Sequence, residues 1–147
     1  MLARLGRRGE PDTARRALRL ATDTFARVSA DWILGPGVRA DRVCRELDEA
    51  VGLGVEHVSL YILEVHSGTP LARDIATGRL RLPSDREVEA GYLAVVAHLE
   101  RLGLHQYEVS NFARPGAESR HNRAYWRGVP YLALGPGLSL IHISEPT

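Results

Sequence analysis

Apolar positions recur along the chain at helical spacing and at strand spacing by turns. From Pro11 to Phe25, Ala14, Ala17, Leu18, Ala21 and Phe25 fall on one helical stripe, and Pro11 and Asp12 suit a helix start. Val28 to Leu34 reads as a strand. A second helix follows Asp41, with Val43, Leu47, Ala50 and Val51 on one stripe, and stops near Gly52 and Gly54. Val58 to Val65 is the next strand, Ser67-Gly68-Thr69-Pro70 is turn chemistry, and Leu71 to Ala76 reads as a short helical piece before Gly78. The best-marked helix begins after Pro83, where Ser84 and Glu87 form the S-x-x-E capping signature. Val88, Tyr92, Val95, Leu99 and Leu102 continue it to Gly103. A third strand is expected over Gln106 to Ser110.

The order helix, strand, helix, strand, helix, strand argues for repeated βα units and a parallel sheet, an α/β fold. A parallel strand covered on both faces would be apolar throughout, and these alternate instead. Val28, Ala30, Trp32 and Leu34 alternate with Ser29 and Asp31; Val58, Leu60 and Ile62 with His57, Ser59 and Tyr61; Tyr107 and Val109 with Gln106, Glu108 and Ser110. Side chains of successive strand residues point to opposite faces, so the apolar set packs on helices and the polar set faces away. A curved or barrel sheet with a wet, ligand-holding interior fits that pattern, with adjacent parallel strands and Asp31 on the concave side.

Composition narrows the function classes. The 147 residues are 44% hydrophobic and 25% charged, about one globular domain. A net charge of +1 gives no general attraction to nucleic acid or anionic lipid, although Arg4, Arg7, Arg8, Arg15, Arg16 and Arg19 make the start locally basic. The single cysteine, Cys44, sits in an amphipathic helix, so a reducing compartment and a buried inert thiol are expected. No apolar run reaches the roughly 20 residues that span a bilayer, and the start shows no secretory signal pattern.

Candidate chemistry concentrates between His105 and Trp126, in HQYEVSNFARPGAESRHNRAYW. Hydrogen-bonding side chains and aromatics cluster there around the Pro115-Gly116 turn, as a site for a flat, polar-edged ligand requires. On a helical turn, His121 and Tyr125 share a face. Glu108 is either a buried acid or a structurally bonded carboxylate, and His57, His66, His98 and His105 lack paired spacing and read as structural or surface residues.

QYEVSNFARPG followed by HNxxYW resembles the oxygen-independent coproporphyrinogen III oxidase-like branch of the radical-SAM proteins, and within it the haem-chaperone subgroup. The resemblance extends through Asp31 to Ile33, HVSLYILEV, Ser67 to Pro70 and Leu134-Gly135-Pro136-Gly137, covering roughly residues 1 to 137. It implies the C-terminal part of a partial (β/α) TIM-like radical-SAM barrel, truncated. Residues 1–113 are then the second half of the barrel, and 114–137 begin the family-specific HNxxYW region. Asp31 matches the aspartate of the family's DLIxGLPG segment, here DWILGPG and one residue shorter, which lines the S-adenosylmethionine pocket. Arg7 matches the arginine of the LGR element that approaches the same cofactor, with Gly9 where the family usually has histidine. His121, in HNRAYW, is the candidate haem-iron ligand. No residue is expected to be catalytic.

The resemblance further implies a 4Fe-4S cluster held by three cysteines spaced CxxxCxxC, each thiolate binding one iron. This chain has only Cys44, so the cluster ligands and the redox chemistry are expected to lie outside it. The implied function is a haem chaperone that binds haem, S-adenosylmethionine and the cluster in intact form and passes haem to an acceptor protein, with no nucleic acid and no integral membrane segment. It would work in the cytoplasm, or in the mitochondrion of a eukaryote. The alternative is oxygen-independent coproporphyrinogen III dehydrogenase of porphyrin biosynthesis. The last ten residues, Leu138 to Thr147 (LSLIHISEPT), break the family pattern, match translated sequencing-adapter DNA and are expected to be non-native.

Overall fold

A computed structural model describes residues 11–131; Arg7 and the Leu138–Thr147 tail lie outside the described residues. The elements run α1 (Pro11–Thr24), β1 (Ser29–Leu34), α2 (Ala40–Gly52), β2 (His57–Ile62), α3 (Pro70–Ala76), α4 (Asp85–Arg101), β3 (His105–Gln106), β4 (Asn111–Ala113) and α5 (Arg120–Trp126). The chain divides into two compact units after Ala117. The first is α/β, built on a four-stranded sheet in the order β1-β2-β4-β3.

β1 and β2 are parallel, in register from Ser29 opposite His57 to Leu34 opposite Ile62. The helix α2 makes the crossover that a parallel pair requires. Its Val43, Leu47 and Ala50 fall at helical spacing and are buried, as are Val95 and Leu99 of α4. They form one core with Leu34, Val58, Leu60 and Phe112, against which Ala30 and Trp32 also pack. The even-numbered positions of β1 and β2 therefore face the helices. Ser29, Asp31, His57 and Ser59, at odd positions, face the other way, which fulfils the alternation expected of these two strands.

Both ends of α4 follow from local chemistry. Ser84 Oγ accepts from Glu87 N at 3.3 Å while the Glu87 carboxylate accepts from Ser84 N at 2.8 Å, so the capping box closes. The Ser84 backbone and hydroxyl, with Arg81, hold the Glu87 carboxyl at about 2. At the other end Gly103, with φ +77°, takes the left-handed turn that only glycine adopts without strain. Leu104 N then donates back to Leu99 O at 3.0 Å, and both leucines are buried.

The third strand departs from expectation. Gln106–Ser110 does not form a parallel strand beside β2; β3 pairs antiparallel with β4, and β4 pairs antiparallel with β2, placing Phe112 opposite Val58. Local bonds turn the chain. Tyr107 N donates to Asn111 O at 3.1 Å, and the Glu108 carboxylate accepts from Ser110 N at 2.9 Å and from Asn111 Nδ2. Val109 O accepts from Gln106 Nε2 and Tyr92 OH at 3.1 and 3.3 Å. Side-chain groups that satisfy nearby backbone in this way compete with a sheet ladder. Val109, expected on an apolar face, is 66% exposed, and the buried strand residue is Phe112 at 0%.

Candidate functional site

The sheet face opposite the helices carries a row of polar groups in strand register. Asp31 of β1 stands opposite Ser59 of β2, and Ser59 opposite Asn111 of β4. One row toward the strand starts, Ser29 stands opposite His57. Ser29 Oγ lies 2.7 Å from His57 Nδ1, and Tyr107 OH lies 2.7 Å from His57 Nε2. A neutral imidazole donates through one nitrogen and accepts through the other, so this three-residue chain is satisfied in either tautomer. His57, Ser59 and Asn111 are buried, whereas Asp31 is exposed. Asp31 thus stands away from the helical layer, as its place in the alternation requires.

Burial pushes the His57 pKa down, against the charges of Asp31 and Glu108, which pull it up. A histidine with a depressed folded pKa binds fewer protons when folded than when unfolded. Stability is therefore full above the unfolded value of about 6.5 and falls as pH drops from there toward the folded pKa. His57→Gln should remove this part of the acid sensitivity, read as a flatter midpoint-against-pH curve just below about pH 6.5. A curve unchanged by the substitution would assign the acid loss to other groups.

The chain leaves β1 through Gly35-Pro36-Gly37. A Cβ on Gly35 would meet Leu63 side-chain atoms at 2.9 and 3.1 Å, and Leu63 N donates to Leu34 O at 2.7 Å. Gly35 therefore lets the loop lie against the chain leaving β2, and Gly37, with φ +72°, completes the turn. On its own face Asp31 sits one row before the last registered pair, Ile33 opposite Tyr61.

The second unit, from Glu118, holds α5. Ser119 caps it, accepting from Asn122 N at 3.2 Å, so HNRAYW is helical. His121 is exposed and its ring stands edge-on to Tyr131, centroids 5.8 Å apart. Tyr131 lies 6.0 Å from Tyr125, which in turn lies 5.7 Å from Trp126. An exposed imidazole at the end of a run of aromatic rings can offer a nitrogen to a metal, and the rings can offer apolar faces to a planar ligand.

The residue pattern points to Asp31 and His121 and puts His57 and Ser59 on the polar face, but it misses the place of Asn111 in the row, the hydrogen bonds of His57 and the part of Tyr131. Register reveals Asn111, since the S-N-F run follows a loop that resets the strand phase. Among the described residues, no group of three or more His, Cys, Asp and Glu side chains could hold a metal ion, and no helix is long and apolar enough to cross a membrane.

No family model matches the chain. It is 43% identical over 139 residues to heme chaperone HemW of Mycobacterium tuberculosis, a match covering 93% of this chain and 36% of that protein. It is 41% identical over 112 residues to the mitochondrial radical S-adenosyl methionine domain-containing protein 1 of Danio rerio, covering 76% of this chain and 25% of that one. It is 37% identical over 114 residues to heme chaperone HemW of Bacillus subtilis, covering 77% and 30%. The chain thus spans about a third of the length of the first of these relatives. In fold it resembles the radical SAM enzyme coproporphyrinogen III oxidase (HemN) from Escherichia coli, with a TM-score of 0.63 and 21% identity over 88% of this chain and 30% of that one. The α/β unit with its parallel β1–β2 pair is accordingly part of a radical-SAM fold, and the chain belongs to the HemN/HemW-like radical-SAM family.

Proposed function

We propose that this chain forms part of a radical-SAM haem chaperone, in which the sheet binds S-adenosylmethionine and the HNRAYW helix binds haem for delivery to an acceptor protein. The carrying observation is the exposed His121 edge-on to Tyr131, whose ring also lies against Tyr125. In this reading residues 1–113 complete the second half of the barrel and 114–137 open the haem-binding region. The work is done in the cytoplasm, or in the mitochondrion of a eukaryote, the compartment named for the Danio rerio relative.

The residues fit the small ligand and the cargo, and they do not fit the cluster. Asp31, Ser59 and Asn111 offer oxygen acceptors to the hydroxyl and ammonium groups of S-adenosylmethionine, and Arg7 matches a group that would hold its carboxylate. A 4Fe-4S cluster needs several thiolates. Cys44 stands alone, and burial together with the Asp48 charge pushes its thiol pKa up.

In a full-length protein carrying this chain, Asp31→Ala should weaken S-adenosylmethionine binding roughly tenfold or more, the scale of a lost hydrogen bond to a charged group. Haem binding should stay within about twofold, because the haem reading rests on His121 and its neighbouring rings and not on Asp31. Calorimetric titration of each ligand checks both. If Asp31→Ala leaves S-adenosylmethionine affinity unchanged, the cofactor reading of the polar face is wrong. Retained cofactor binding without haem binding in the unaltered protein would favour the coproporphyrinogen dehydrogenase.

A further inference from the structure

We infer that Asn111 is a ligand-positioning residue whose side-chain oxygen accepts a hydrogen bond from a sugar hydroxyl of the nucleoside bound on the polar face, an inference that rests on the S-adenosylmethionine reading. Asn111 is 6% exposed, and its Oδ1 is fully buried without a hydrogen-bond partner. The orientation of the amide is fixed by chemistry. Glu108 as a carboxylate only accepts, so the group facing it is Nδ2, which leaves Oδ1 turned away from Glu108. A buried amide oxygen left unpaired loses its hydration with nothing in return, so such an atom demands a donor from outside the chain.

Where that donor comes from follows from the register. Asn111 occupies the same row as Asp31 and Ser59, on adjacent strands, on the face opposite the apolar core. Two strand spacings of about 4.8 Å set Asp31 and Asn111 roughly 10 Å apart, a span a nucleoside bridges with donors at both ends. The two acceptors differ in kind. Asp31 is exposed and ionic, suited to an ammonium or a hydrated hydroxyl, whereas Asn111 is buried and neutral. Bringing a cation to a buried neutral amide carries a large desolvation cost, so the donor matched to Oδ1 is a neutral O–H. Because Oδ1 is covered, contact requires the groups over it to move, and the 107–110 loop is bonded to the same side chain. That loop has the exposed Val109 at its tip and holds Asn111 through Glu108.

The test compares S-adenosylhomocysteine with its 2′-deoxy and 3′-deoxy forms, titrated calorimetrically into a full-length protein carrying this chain. The unaltered protein should lose about tenfold affinity for one of the two deoxy forms, the scale of one hydrogen bond. Asn111→Ala should bind the parent ligand more weakly and no longer distinguish that pair, while Asp31→Asn keeps the distinction. Asn111→Ser, whose hydroxyl is too short to replace the amide oxygen, serves if the alanine variant does not fold. An unaltered protein that binds all three ligands equally overturns the inference without any variant. So does an Asn111 variant that discriminates as before, which would leave Oδ1 to an ordered water. Absence of S-adenosylhomocysteine binding in every form would instead remove the underlying cofactor reading.

Discussion

His121→Ala, in a full-length protein carrying this chain, is expected to abolish or shift the haem Soret band. Neutral imidazole is a strong axial ligand for haem iron, and the electronic spectrum of the porphyrin reports its axial ligands directly. His121 sits in the middle of the short helix α5, exposed, with Tyr131 edge-on at 5.8 Å and Tyr125 one turn away on the same face. Alanine is a good helix former, and the Ser119 cap does not involve the His121 side chain. The variant should therefore keep α5 intact and lose only the nitrogen ligand. Tyr125→Phe controls for the aromatic surroundings: it keeps the ring and should leave the Soret position unchanged. Haem titration followed by absorbance decides the matter. An unchanged spectrum in His121→Ala makes this histidine structural and moves the iron ligand elsewhere in the protein.

The polar face and the HNRAYW helix came from the residue pattern for different physical reasons, and they failed to come completely for one shared reason. Asp31 is legible because Ala30, Trp32 and Leu34 share one parity and Ser29 and Asp31 the other, and the apolar Ile33 keeps to the exposed parity. α2 and α4 carried stripes long enough for helical period to be unmistakable, and Ser84 with Glu87 fixed the start of α4. Parity broke at Gln106. Tyr107 and Val109 keep an apolar rhythm in sequence, but Glu108 bonds backward and forward within the loop and the phase resets before Asn111. Asn111 then falls on the polar face, and Phe112 takes the core position that Val109 had been given. No local signal announces such a reset, because what decides it is the antiparallel pairing of β4 with β2, a contact about fifty residues away in sequence. His57 illustrates the same limit. Read alone it is one histidine among several; its hydrogen bonds to Ser29 and Tyr107 exist only once three segments are brought together.

Phe112→Ala should be the most damaging single substitution in the α/β unit, at about 3–5 kcal/mol, the usual cost of removing a buried aromatic side chain. Phe112 is fully buried and the largest side chain in the core. It is also the central residue of β4, in register with Val58 on one side and Gln106 on the other. Its loss removes packing from the strand that ties the β3–β4 hairpin to β2, so the ligand-facing row at Asn111 should loosen along with the core. Val109→Ala is the matched control. Had Gln106–Ser110 been the third strand, Val109 would be a core residue and its truncation would cost more than about 1 kcal/mol; at 66% exposure it should cost within about 0.5. Denaturant midpoints of the two variants in a full-length protein carrying this chain, or half-times of proteolysis where unfolding is not reversible, separate the alternatives. Equal losses at Phe112 and Val109 would restore the longer parallel strand, and a loss below about 1 kcal/mol at Phe112 would mean that β4 does not anchor the sheet.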